Sequence, residues 1–219
     1  MRKGIFISTA AAAAALTMTA ASVAPATAAS EEFLAHGPNG VTISIATVNG
    51  SGCPPETVAI ALSAGHDAFT VTYSKYLAQA GGASAPTDAR KNCQINMIVH
   101  VPPGFTYAIS STDYRGYAGL QKGANATQLA SYYFHGDPRP RQYSHSLSGP
   151  YKMSWKTTDK PDVSQLVYKP CDEERSLNIN TEVRVDLGTS DPAKVSFIAV
   201  DSADSTIKTT YHFAWKRCP

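Results

Sequence analysis

Between Leu177 and Leu187 every second residue is apolar or β-branched. Leu177, Ile179, Thr181, Val183, Val185 and Leu187 alternate with Ser176, Asn178, Asn180, Glu182, Arg184 and Asp186. Successive side chains of a β-strand point to opposite faces, so this spacing sets one face against a core and the other in water. The same rule governs the C-terminal end, where Ile207, Thr209, Tyr211, Phe213 and Trp215 alternate with Lys208, Thr210, His212, Ala214 and Lys216. A chain whose clearest period is two must bury its apolar faces sheet against sheet.

Shorter runs of the same kind cover Val41–Val48, Thr57–Leu62, Ala68–Ser74, Gln94–Val101, Phe105–Ser111, Thr127–Phe134, Tyr151–Lys156, Gln165–Tyr168 and Val195–Val200. Turn chemistry separates them. Pro103-Gly104 suits a type II turn, with proline setting the first φ and glycine accepting the positive one. Ala64-Gly65-His66-Asp67 reads as a hairpin loop. Leu77–Asn92, rich in Ala, Gly and Ser, and His135–Pro150, rich in Pro and Ser, read as surface loops. About eleven strands with no amphipathic helix make an all-β protein, an antiparallel β-sandwich of about ten or eleven strands.

The N-terminus carries Arg2 and Lys3, an uncharged alanine-rich stretch from Ile5 to Ala24, Pro25, and then Ala26-Thr27-Ala28. That is the layout of a secretory signal peptide over residues 1–28, with a single mature domain over 29–219. No later run approaches the length of a membrane-spanning helix. The chain holds 19 basic and 17 acidic residues, and the basic pair that leaves with the leader brings the mature protein to a formal net charge of zero. A near-neutral surface gains little from counterion release on a polyanion, which argues against a nucleic-acid partner.

Cys53, Cys93, Cys171 and Cys218 follow the export signal, even in number and without a C-x-x-C pair. They read as two structural disulfides of an oxidising compartment. Of three connectivities, Cys53–Cys93 with Cys171–Cys218 is favoured, because each bridge then staples one half of the chain. Each closed loop is worth roughly 4 kcal/mol in the chain-entropy model.

No G-x-S-x-G, H-E-x-x-H, P-loop or G-x-G-x-x-G occurs, and no motif asks for a cofactor. Catalytic residues are therefore not assigned. The densest polar segment runs from His135 to His145 and gathers Asp137, Arg139 and Arg141. Arginine pairs grip carboxylates or sulfates, so this segment is a candidate anion site. Asp201 and Asp204 are the weak candidates for calcium, without the spacing of a dedicated loop. Seven of the 11 tyrosines lie between Tyr107 and Tyr151. Exposed aromatic faces bind sugar rings or protein partners. Tyr114 and Tyr117, flanking Gly116 and Arg115, are the candidates for exposure, and Tyr107 the candidate for burial.

Gly52-Cys53-Pro54, Arg90-Lys91-Asn92-Cys93-Gln94-Ile95-Asn96, Asp113-Tyr114-Arg115-Gly116-Tyr117, Ala130-Ser131-Tyr132-Tyr133-Phe134 and Trp215-Lys216-Arg217-Cys218 together resemble a family of small secreted proteins of bacteria and fungi, domain-of-unknown-function family 4360. The resemblance covers nearly the whole mature chain. It implies a secreted β-rich domain with paired cysteines and transfers no catalytic residue. The Asp-Tyr-Arg-Gly-Tyr segment is expected simply to shape a tight loop.

These observations lead to a non-catalytic extracellular domain that binds a protein, a glycan or a surface. Two other classes compete: an inhibitor of an extracellular protease presenting the His135–Pro150 loop, and a hydrolase whose site is scattered over strands.

Overall fold

Strand β7 (Phe105–Leu120) organises the fold, because its 16 residues are long enough to pair with three partners. The computed structural model describes Met1 and residues 33–137, 140–200 and 208–219. Before β7 come β1 (Phe33–Leu34), β2 (Thr42–Asn49), β3 (Val58–Leu62), β4 (Ala68–Tyr73), β5 (Leu77–Ala80) and β6 (Arg90–His100). After it come β8 (Asn125–Phe134), β9 (Arg141–Ser148), β10 (Tyr151–Asp159), β11 (Leu177–Asp186), β12 (Ser196–Ala199) and β13 (Thr209–Arg217). All strand pairs are antiparallel. One sheet has eight strands, ordered β3-β4-β13-β7-β12-β5, with β1 added to β13 and β10 to β7. The other has five, ordered β2-β6-β11-β8-β9.

On β7 the division of labour is readable from the register. Phe105–Asp113 pairs with β13, Tyr117–Gly119 with β12, and Thr112–Leu120 with β10 on the opposite edge. The two sheets share one core. Phe69 stacks on Tyr211 with ring centroids 4.8 Å apart, and Tyr107 meets Phe134, Phe213 and Trp215. Tyr107 is completely buried, as its alternation with Phe105 and Ile109 predicts. The Trp215 indole N–H donates to the His66 carbonyl at 2.7 Å, which satisfies the one polar group of that ring. Glu31–Pro219 makes one compact unit.

Both disulfides are the expected ones. Cys53–Cys93 and Cys171–Cys218 close with Cα–Cα distances of 5.3 and 5.9 Å. Gly104 takes φ +82 in the turn between β6 and β7, the conformation the Pro-Gly pair calls for. Among the described residues no helix is long and apolar enough to cross a membrane. The export leader lies outside the described residues.

Among the described residues there are 13 strands, and the differences from the sequence reading have physical causes. Leu77–Asn92 is not a continuous loop, since β5 and the start of β6 lie within it. The small residues of β5 form a strand because β12 pairs with them at Ser196–Ala80 through Ala199–Leu77. His135–Pro150 likewise contains β9, whose Tyr143, His145 and Leu147 alternate with serines. As an edge strand β9 needs few apolar residues, so its composition resembles a loop. Gln165–Tyr168 is not a strand. A single turn of 3-10 helix at Val163–Gln165 precedes it, and the segment then reaches β7 through the Lys169 N–H on the Tyr107 carbonyl at 2.9 Å.

Candidate functional site

The Asp113–Tyr117 segment is the interior of β7 and not a tight loop. Gly116 is there for space: a Cβ would lie 2.0 Å from the Ala199 carbonyl oxygen and 2.4 Å from the Trp155 indole. Alternation through it sends Tyr114 and Gly116 inward and Arg115 and Tyr117 outward. Tyr114 is 1% exposed, so its assignment to an exposed binding face is overturned. Arg115 is exposed, and Tyr117 is half-buried on the outer face.

Around Tyr117 the register builds two cross-strand rows on the outer face of the larger sheet. One row is Leu77, Ala199, Tyr117 and Ser154, and the next is Gln79, Phe197, Gly119 and Lys152. A Cβ at Gly119 would lie 2.6 Å from a Phe197 ring carbon, so the Phe197 ring rests on the glycine. Tyr117 and Phe197 lie with centroids 6.2 Å apart and planes 23° from parallel. Arg115 and Lys156 are register partners beside them. Lower on the same face, Asp113 Oδ1 accepts from the Thr158 hydroxyl at 2.5 Å, and Asp113 Oδ2 faces His212 Nε2 at 3.3 Å. The Thr158 hydrogen bond, with His212 and Lys156, holds the Asp113 carboxyl below its ordinary range against the opposing effect of partial burial.

Inside the sandwich lies a polar cluster that the sequence did not announce. Asp159, at the end of β10, is 1% exposed, and its Oδ1 meets His145 Nε2 at 2.6 Å. This contact joins the edge strands β9 and β10 of opposite sheets. Asp159, Thr112 and Tyr211 are register neighbours across β10, β7 and β13. Tyr114 and Tyr132 reach toward the same carboxylate and influence its surroundings. Burial raises the Asp159 carboxyl above its ordinary value, and His145 only partly offsets this. Burial also pushes the Tyr73, Tyr114, Tyr132 and Tyr211 phenols far up, so all four are neutral donors at physiological pH. Among the described residues none of these four hydroxyls meets full hydrogen-bond geometry, although Tyr114 lies close enough to the Asp159 carboxyl to lower it.

The His135–His145 segment does not converge. His135 is exposed, and its carbonyl accepts from Arg175 Nη1 at 3.1 Å. His145 faces Asp159 in the interior. Arg141 points inward beside Tyr132, its register partner. Arg139 lies outside the described residues, as do the calcium candidates Asp201 and Asp204. Among the described residues no group of three or more His, Cys, Asp or Glu side chains is arranged to hold a metal. Asp159, Phe197 and Gly119 escaped the sequence reading. Asp159 follows two threonines at a strand end and looks like a turn residue. Phe197 and Gly119 acquire meaning only when β12 lies beside β7.

A relative described as an uncharacterized secreted protein of Arthroderma benhamiae is 35% identical over 181 residues, covering 83% of this chain and 73% of its own length. Among solved structures, the enzymatically active domain of tailspike protein 4 from bacteriophage CBA120 aligns at 14% identity and TM-score 0.25, over 82% of this chain and 20% of that one. Naturally occurring empty particles of cowpea mosaic virus align at 8% identity and TM-score 0.26, over 81% and 90%. Likenesses this distant carry no argument here. The chain spans about a fifth of the tailspike chain it matches. Two closed disulfides and a secreted relative agree with the exported, extracellular protein read from the leader. Residues 39–218 match the model of the domain of unknown function DUF4360, and the chain belongs to that family.

Proposed function

We propose that this protein is a non-catalytic extracellular binding domain that takes a glycan on the outer face of its larger sheet. The observation that carries the reading is the Tyr117–Phe197 pair, held flat by Gly119 and flanked by Gln79, Arg115 and Lys152. A flat aromatic surface offers the apolar face of a sugar ring a large contact area at low entropy cost, and the polar side chains around it serve the ring hydroxyls. The inhibitor reading loses its protruding loop, because Arg141–Ser148 is hydrogen-bonded to β8. The hydrolase reading finds an acid–base pair in His145 and Asp159, but among the described residues no serine, threonine or cysteine side chain is bonded to His145.

The test is co-sedimentation of the mature domain with insoluble cellulose, chitin, β-1,3-glucan and mannan. Retention on at least one is expected, with loss of about tenfold or more in affinity for the Tyr117→Ala, Phe197→Ala double variant. Retention on none, or a double variant that binds like the parent, refutes the reading.

A further inference from the structure

The outer face of the smaller sheet carries a cross-strand row of amides and a hydroxyl. Gln94 on β6 pairs in register with Asn49 on β2 and Asn180 on β11, Asn180 with Ser131 on β8, and Ser131 with Gln142 on β9. One residue from each of the five strands therefore lies on a line across the sheet, about 19 Å from end to end at the usual strand spacing. Alternation turns this row to solvent, because the neighbouring Cys93, Ala130 and Thr181 are buried. Beside it runs a second row, Asn92, Glu182, Leu129 and Ser144.

A groove of about 320 Å³ lies between the two rows, floored by Ala130 and Thr181. Ligand sites occupy about 300–1,000 Å³, so the space admits a narrow chain. Neighbouring polar groups on this face are already paired. Asn96 Nδ2 donates to Asn178 Oδ1 at 2.8 Å, and the Ser51 hydroxyl donates to Asn92 Oδ1 at 3.0 Å. Glu182 accepts from Arg90 Nε at 2.7 Å and lies 3.1 Å from Arg184 Nε, so the charges at the groove are committed to one another. By contrast, among the described residues no protein group bonds the side chains of Gln94, Asn180, Ser131 or Gln142.

We propose that this groove binds a single chain of a neutral, soluble oligosaccharide lying across the strands, a second site independent of the aromatic pair on the larger sheet. Side-chain amides both donate and accept, as sugar hydroxyls do, and a row of them suits a chain that repeats hydroxyls along its length. Leu129, the one apolar side chain in the groove walls, is half-buried and gives a ring face a place to leave water. An anion gains little here, because the guanidiniums are taken by Glu182. A chain packed into an insoluble surface cannot enter a groove walled on both sides, so co-sedimentation reports the larger sheet and not this one.

The experiment is calorimetric titration of the intact mature domain with soluble hexaoses of β-1,4-glucose, β-1,4-N-acetylglucosamine, β-1,3-glucose and β-1,4-mannose, alongside hexagalacturonate. At least one neutral hexaose is expected to bind with 1:1 stoichiometry, and more tightly than the acidic chain. The Gln94→Ala, Asn180→Ala double variant should weaken it by about tenfold or more, the effect of losing two modest hydrogen bonds. Ser131→Ile fills the low centre of the row without offering a hydrogen bond and should abolish binding. Both changes lie on a solvated face, so thermal stability should be retained. The Tyr117→Ala, Phe197→Ala double variant should bind the hexaose like the parent, which separates failure of this site from failure of the outer aromatic face. The proposal is overturned if no neutral hexaose binds with Kd below about 5 mM, or if hexagalacturonate binds more tightly than all of them. It is equally overturned if either groove variant binds like the parent, or if loss of Tyr117 and Phe197 abolishes hexaose binding.

Discussion

Replacing Tyr114 and Tyr117 one at a time by alanine separates the two faces of β7. Tyr114 is 1% exposed and meets Tyr211 edge-on at 6.4 Å, so its truncation leaves a cavity between the sheets. A buried tyrosine removes about 150–250 Å² from water, worth roughly 4–6 kcal/mol at ~25 cal/mol per Å². Removal of large aromatic side chains from cores costs about 3–5 kcal/mol, and the two routes agree. In a domain of this size each kcal/mol moves the midpoint by about 2–4 °C, so Tyr114→Ala should lower Tm by roughly 6–20 °C. Tyr117 lies on the outer face beside Phe197, and its loss should cost about 1 kcal/mol or less, a shift of a few degrees. Tyr114→Phe sharpens the test. The Tyr114 hydroxyl is buried beside the Asp159 carboxyl without full hydrogen-bond geometry, so deleting the oxygen alone should leave stability within about 1 kcal/mol of the parent. Thermal and urea denaturation of the three variants reads these numbers. If Tyr117→Ala falls as far as Tyr114→Ala, the inward–outward assignment of β7 is wrong, and the outer aromatic pair is structural.

Asp159→Asn should be at least as stable as the parent at pH 7. Burial raises the Asp159 carboxyl, so the folded state holds the proton more tightly than the unfolded chain. Its contribution is then whole below the unfolded value of about 3.9 and is lost as pH rises through the folded value, whereas asparagine keeps an acceptor for His145 without a buried charge. Marked destabilisation of Asp159→Asn at pH 7 in urea titrations contradicts this. Asp113 runs the other way: its carboxyl is held low mainly by Thr158, so Thr158→Val should reduce stability above about pH 4 and matter less as the acid protonates. Replacing both Cys171 and Cys218 by serine should cost about 2–5 kcal/mol, measured by denaturation of the oxidised proteins. N-terminal sequencing of secreted material should find Ala29 first, and a retained Met1 would contradict export by cleavage.

How much of this was legible in the chain can be followed residue by residue. Alternation decided the long strands β11 and β13 and the burial of Tyr107, because the side-chain period of a strand is a local property. Cysteine number and export context decided that two bridges form, and their order along the chain favoured the pairing observed. Proline and glycine marked the turn before β7. The elements that carry the candidate sites were not readable in this way. β5 and β9 are strands because β12 and β8 supply hydrogen-bonding partners; β12 is far from β5 in sequence, and β8, although it directly precedes β9, leaves it as an edge strand whose composition resembles a loop. Gly116 looks like a hinge in one dimension, yet in three it is the position where Trp155 and the Ala199 carbonyl leave no room for a Cβ. Tyr114 and Tyr117 are neighbours in composition but stand on opposite faces once the segment is a strand. Phe197 and Tyr117 become one surface, and Asp159 and His145 one buried pair, only through pairing and packing between separate strands. Local periodicity specifies which strands have a wet and a dry face. Which side chains share a face is set by register and sheet order, and those are long-range quantities that only the tertiary structure determines.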